Sequence, residues 1–229
     1  MPLEQIISIV VFFLVLVLIW GVFKKIFKLM FYAGIIISLL LAANLYFIYQ
    51  DFKDLRENFV ISEKKVILKD GDEILTGLLL NEDTSLMIAK QLSDYSSYLK
   101  DNDYEKILGN SYKLMVFDVG IISNLDDEIK IENRIFTKDQ LIAKLKSGDN
   151  NEKASLFSVI LADEILSSKN PLFFFSEFKK ENIIIYPETA LFKTVKIIPV
   201  ELFKDVANTL FSKTKEKAKA FIVEEAELT

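Results

Sequence analysis

The sequence predicts an α+β protein: an N-terminal two-helix transmembrane hairpin followed by one mixed α+β domain facing water. Three observations carry this. Residues 6–23 and 29–50 are uncharged and almost wholly apolar. Only Lys24, Lys25, Ile26, Phe27 and Lys28 separate them. The rest of the chain alternates β-prone runs with helical periodicities, without a long repeat or a Pro/Ser/Gly-rich linker. The expected domains are residues 1–50 (the hairpin) and 51–229.

At about 1.5 Å per residue the first apolar run is 27 Å long as a helix and the second about 33 Å, against about 30 Å of hydrocarbon. Backbone in lipid must satisfy its own hydrogen bonds, so the spanning form is helical. A cleaved signal peptide is the competing reading of residues 6–23. Positions 1–5 carry no Lys or Arg, however, and no small-residue cleavage site precedes the lysines. The lysines between the runs place that turn in the cytoplasm and the domain outside, whereas Lys53, Arg56, Lys64 and Lys65 pull the other way. The short, densely charged turn is taken to decide, so the domain is expected to be extracytoplasmic. Trp20, Tyr46 and Tyr49 suit the headgroup layer. Gly34, Ser38 and Ala42 form a small-residue face, and Asn44 is the one strongly polar residue well inside a run.

Composition excludes several chemistries. The 229-residue chain has a net charge of −5 and neither histidine nor cysteine. Ser-His-Asp triads, Cys-His dyads, disulfides and ordinary zinc sites are therefore ruled out. Residues 1–57 hold five basic and four acidic side chains, leaving 23 basic and 29 acidic in the tail. That balance, with Arg56 and Arg134 the only arginines, opposes nucleic-acid binding.

Along the tail, residues 51–58 continue the second helix out of the bilayer. Residues 65–69 and 73–80 flank Asp70-Gly71-Asp72 and read as a β-hairpin. Asp83 or Thr84 caps a helix running to Leu99, broken by Asp101, Asn102 and Asp103, with a short helical turn over 104–108. Residues 112–123 read as a central strand and 129–136 as a second one. Thr137 and Gln140 form a capping box opening a helix through Leu145. Residues 147–151 are a loop, 152–167 a helix and 172–178 a short helix after Asn170-Pro171. Residues 182–186 and 191–198 read as strands, and Pro199 starts a final helix reaching about Glu225.

The candidate chemistry is thin. Asp118 ends an apolar strand, where phosphotransfer enzymes place a nucleophilic or metal-binding carboxylate. The run 114–120 resembles the first motif of haloacid-dehalogenase-type phosphatases, but Gly120 stands where their second acid belongs, so Asp118 reads better as a turn cap. Asp70/Asp72/Glu73, Asp101/Asp103 and Asp126/Asp127/Glu128 lack calcium-loop spacing and suit turns. Phe173, Phe174, Phe175 and Phe178 read as core, with a membrane-dipping patch as the alternative. The lysines at 213–219 read as a solvated face, and no phosphate-binding glycine loop is present. No catalytic, cofactor-binding or metal-binding residue is assigned, and no cofactor is expected.

The stretch FKKIFKLMFYAGIIISLLLAANLYFIYQDFKDLRENF followed by SEKKVILKDGDEILTG (residues 23–77) resembles a group of uncharacterised archaeal membrane proteins. Those pair an N-terminal membrane segment with an "ENF…S.K..LL.D….L.G" stretch. The resemblance implies a membrane segment ahead of a C-terminal α+β domain and brings no activity with it. The expected function is a non-catalytic interaction or scaffold domain held at the membrane surface. Its partners would be the lipid bilayer and another protein or a second copy. The alternative is a membrane-bound hydrolase using carboxylates and a divalent metal. A channel component is disfavoured because the apolar runs lack ionisable residues.

Overall fold

The structure, a computed structural model, describes residues 3–59, 61–81, 84–131, 134–166, 172–205 and 208, with side chains from residue 10 onward. The chain divides into two compact units, Met1–Phe47 and Ile48–Thr229.

One helix, α1 (Leu3–Asn58), stands where the two-helix hairpin was expected. Residues 24–28 contain neither glycine nor proline, and lysine, isoleucine and phenylalanine all continue a helix. Reversing the chain in so few residues needs a left-handed or helix-breaking position, which this pentapeptide lacks. At 56 residues α1 is about 84 Å long, more than twice the hydrocarbon thickness. Every side chain from residue 10 to 47 is exposed. Asn44 donates to the Leu40 carbonyl at 3.0 Å, so its amide is satisfied within its own helix. By length and composition α1 is apolar enough to cross a membrane.

The second unit is built on a mixed five-stranded sheet. Strands β1 (Lys64–Asp70) and β2 (Glu73–Leu80) form the expected hairpin. Its turn takes Gly71 to φ +59°, where a side chain would be strained. Strand β3 (Ser85–Leu86) adds to β2, and only then does α2 (Ala89–Lys100) begin. Asp83, one of the two expected caps, lies outside the described residues. The helix starts later than expected because Leu86 and Met87 are drawn to the sheet. Met87 donates its N–H to the Gly77 carbonyl and packs where a β-carbon on Gly77 would lie 2.6 Å from its sulfur. Helix α3 (Tyr104–Leu108) sits where the sequence places it. Strand β4 (Lys113–Asp118) follows, parallel to β1.

The long strand expected over 112–123 stops at Asp118. Its Oδ1 accepts the Gly120 N–H at 2.9 Å and turns Val119–Asn124 into a 3-10 helix, whose Val119, Ile121 and Ile122 still reach the core. The single strand expected over 129–136 is instead a hairpin of its own, β5 (Glu128–Ile131) with β6 (Arg134–Thr137). Alternation persists through both arms, so periodicity alone cannot tell one strand from two. The capping box holds: Gln140 N–H reaches Thr137 Oγ1 at 3.3 Å, and Thr137 N–H reaches Gln140 Oε1 at 3.0 Å, opening α4 (Lys138–Ser147). The expected loop over 147–151 shrinks to a tight link, because Asp149 caps α5 (Asn150–Val159) by accepting the Glu152 N–H at 2.8 Å. A π-helical turn, Ile160–Ile165, extends α5. Helix α6 (Phe173–Lys179) leads to β7 (Ile183–Tyr186), antiparallel to β4, giving the order β3-β2-β1-β4-β7.

Where a strand was expected over 191–198, the chain forms a helix, α7 (Ala190–Ile197). The β-branched residues of this stretch mislead: Leu191, Phe192 and Val195 fall on one helical face and are buried together. A short 3-10 turn, Val200–Phe203, follows Pro199. Most of the expected final helix, with the lysines at 213–219, lies outside the described residues.

Both faces of the sheet are covered, which is why β4 reads as an unbroken apolar run. Leu114 and Val116 pack with Ile107 and Leu92 on the α2–α3 side. Met115 and Phe117 face the larger core with α5, α6 and α7. There Phe117 meets Phe157 edge-on at 5.8 Å, and Phe178 meets Phe192 at 5.5 Å, so the phenylalanine run is core and not a surface patch. Thr76 on β2 is fully buried, and its hydroxyl finds no partner among the described residues. Thr76→Val keeps the shape and removes an unpaid desolvation, so it should stabilise the full chain in detergent by about 1 kcal/mol in a denaturant titration. A loss of stability would show that the hydroxyl is satisfied.

Candidate functional site

The sequence points first to Asp118 and the acidic turns, and the structure keeps them apart. Asp118 Oδ2 pairs with Lys69 Nζ at 3.0 Å while Oδ1 caps the following turn. Asp70 pairs with Lys146 at 2.6 Å, Asp103 with Lys106, and Asp127 with Lys138 at 2.9 Å. The Lys106 ammonium beside Asp103 holds that carboxyl below its usual range. Among the described residues no three acidic side chains converge as a metal site would require.

A denser constellation forms where the last turns of α1 meet the sheet and α7. Leu55 and Phe59, 1% and 3% exposed, belong to the main core. Between them and the preceding turn α1 presents its polar face. Asp51 Oδ2 accepts the Leu191 N–H at 3.0 Å. Thr189, at the N-cap position of α7, makes no capping bond, so a carboxylate from a distant helix caps α7 and complements its dipole. Asp54 accepts the Tyr112 hydroxyl through Oδ2 and the Asn58 amide at 2.7 Å through Oδ1. Beside Tyr112, Lys113 is buried and donates to the Pro187 carbonyl at 3.0 Å. Burial lowers the Lys113 pKa, with Asp54 and Asp51 opposing the shift. Burial, and then the hydrogen bond to Asp54, pushes the Tyr112 phenol well above its ordinary value.

Lys64 closes the end of α1. Buried to 1% exposure, it donates to the Phe59 and Ser62 carbonyls, the latter at 2.7 Å. Lys65 donates to the Tyr95 hydroxyl and the Ile107 carbonyl, both at 2.8 Å. Two lysines that read as juxtamembrane charge are thus donors within the domain.

Sequence reasoning also passed over Glu177, 1% exposed inside the aromatic run of α6. Its Oε2 accepts from Asn124 at 2.8 Å and from Asn182 at 2.6 Å, and its Oε1 from Lys180 at 2.7 Å. An isolated acid among phenylalanines was the available signal, since a carboxylate there must be hydrogen-bonded. It ties the turn after β4 to the start of β7. In these clusters the lysines donate to carbonyls and a tyrosine hydroxyl, and the carboxylates accept from amides, a hydroxyl and one ammonium group. No protein-family model, curated protein or solved structure matches the chain.

Below pH 10.0, the ordinary tyrosine value, the Tyr112 phenol keeps its proton whether the chain is folded or not. Above it the unfolded chain releases the proton first, so stability should fall as pH rises further. Tyr112→Phe should cost about 1 kcal/mol at neutral pH and flatten that alkaline decline. Denaturant titrations of the two full-length proteins between pH 7 and 11 measure both, and identical alkaline slopes would refute the assignment.

Proposed function

We propose that this chain is a membrane-anchored, non-catalytic interaction protein whose α+β domain is held at the bilayer surface by α1. The observation that carries this is the contrast along one helix. Residues 10–47 of α1 bury nothing within the protein, whereas Leu55 and Phe59 are core residues of the domain. An apolar residue at the centre of a span favours lipid by about 0.3–0.6 kcal/mol, so a run such as 29–50 favours it by several kcal/mol in sum. In water the same surface would be an aggregation site.

Residues 29–50 adjoin the domain and are the stretch whose crossing sets Asp51 at the membrane surface. Lys24, Lys25 and Lys28 precede that stretch, which favours a cytoplasmic N-terminal side and a domain outside. The partners are the bilayer and a protein surface. The acidic balance of the tail and the scarcity of arginine support no nucleic acid. The pairing of Asp70, Asp103, Asp118, Asp127 and Glu177 with lysines favours binding over hydrolysis.

Full-length protein should sediment with membranes through a high-salt, alkaline wash and be released by detergent. Recovery in the high-speed supernatant without detergent would overturn the anchor. On intact cells, external protease should digest residues 48–229; digestion only after lysis would reverse the orientation.

A further inference from the structure

Strand β6 carries one residue that its pattern does not ask for. In the β5–β6 hairpin Ile131 pairs with Arg134 and Ile129 with Phe136. Successive side chains of a strand point to opposite faces, so Arg134 and Phe136 share one face and Ile135 takes the other. Ile135 is exposed, whereas Ile129 and Ile131 are core residues and Phe136 packs against that core. Arg134 therefore stands on the inward, apolar face, at the end of the hairpin where its head still reaches solvent. It makes no hydrogen bond or ion pair among the described residues. The chain holds two arginines among 28 basic residues, and the ion pairs described above all use lysine. A charge set without a partner on an apolar face breaks the local pattern, and such breaks are expected where a ligand completes a site.

Arg134 lines a cavity of about 190 Å³ between the hairpin, α4 and α5. Its apolar wall is Ile131, Phe136, Leu156 and Val159. Lys144 and Glu152 also border it, but they pair with each other at 2.6 Å and their charges cancel. One positive charge, that of Arg134, is left unanswered beside the apolar wall. We infer that this cavity binds a small carboxylate, whose two oxygens take the Arg134 guanidinium while its short apolar part covers the wall. Charge complementarity selects an anion, and the planar fork of N–H donors matches a carboxylate in two parallel hydrogen bonds. Phosphate fits the same fork but leaves the wall wet, whereas an alkyl group removes it from water. At the roughly 30 Å³ that a water molecule takes in the liquid, the space holds about six non-hydrogen atoms, the size of butyrate. A free short-chain acid and the last residue of a polypeptide with an apolar side chain both present this chemistry. The site lies wholly within the α+β unit, so it stands or falls separately from the membrane anchor.

Full-length protein in lipid nanodiscs, titrated with butyrate and followed by saturation-transfer NMR, tests the assignment, with the Arg134→Gln protein in the same nanodiscs as the background. Butyrate should bind with a Kd of about 1 mM, the scale open to so few atoms. Arg134→Gln should weaken binding at least about tenfold, and Arg134→Lys, which keeps the charge and loses the fork, should fall between the two. Acetate, shorter by two methylenes, should bind at least about fivefold more weakly than butyrate, and butylammonium should not compete. Among competitors, N-acetylleucine should displace butyrate and its amide should not. Displacement by N-acetylleucine at lower concentration than unlabelled butyrate supports a chain end as the source, and the reverse supports a free acid. Absence of saturable binding, equal binding by Arg134→Gln, or phosphate, butylammonium or the amide competing as well as butyrate overturns the site.

Discussion

Leu55 and Phe59 sit at and just past the end of a helix whose residues 29–47 are uncharged and exposed, yet they are buried in the core of the α+β unit. That double use of one helix constrains everything after it. Burying one large apolar side chain contributes about 1.5–3 kcal/mol, so these two alone hold the end of α1 to the domain by an amount comparable to a small domain's net stability. The polar contacts then fix orientation: Asp51 on the start of α7, Asp54 on Tyr112, Lys64 on the carbonyls that close the helix. The turns of α1 from residue 48 onward are therefore a structural element of the α+β unit.

The arrangement explains the spread of acidic and basic residues. A chain without histidine or cysteine still has many charges to place, and the buried ones among the described residues are each hydrogen-bonded. Lys64, Lys113 and Glu177 are each buried with hydrogen-bond partners in reach, which is the condition under which burial of charge is tolerated. Lys64 and Lys113 donate to backbone carbonyls, whereas Glu177 accepts from the side-chain amides of Asn124 and Asn182 and from Lys180.

Much of the fold was legible wherever local chemistry was decisive. The hairpin around Gly71, the capping box at Thr137 and Gln140, the short helix over 104–108 and the aromatic core of α6 follow from turn, cap and burial preferences. The misses share one cause, in that tertiary partners decided between near-equal local options. Residues 190–197 are helical because Asp51, far away in sequence, caps them and one helical face finds the core. Residues 128–137 fold back on themselves because alternation says nothing about where a strand turns. Residues 24–28 stay helical because apolar runs separated by charge look like two spans whether or not a turn residue stands between them. The junction at Asp51, Asp54, Tyr112 and Lys113 was invisible for the same reason: its members meet only in the folded chain.

The central claim is that the end of α1 belongs to the core of the domain. Amide exchange over residues 50–59 of the full chain in lipid nanodiscs tests it most directly. The account predicts protection equal to that of β1 and β4, lost only on global unfolding. Rapid exchange there, with β1 and β4 still protected, would show a frayed linker and contradict it.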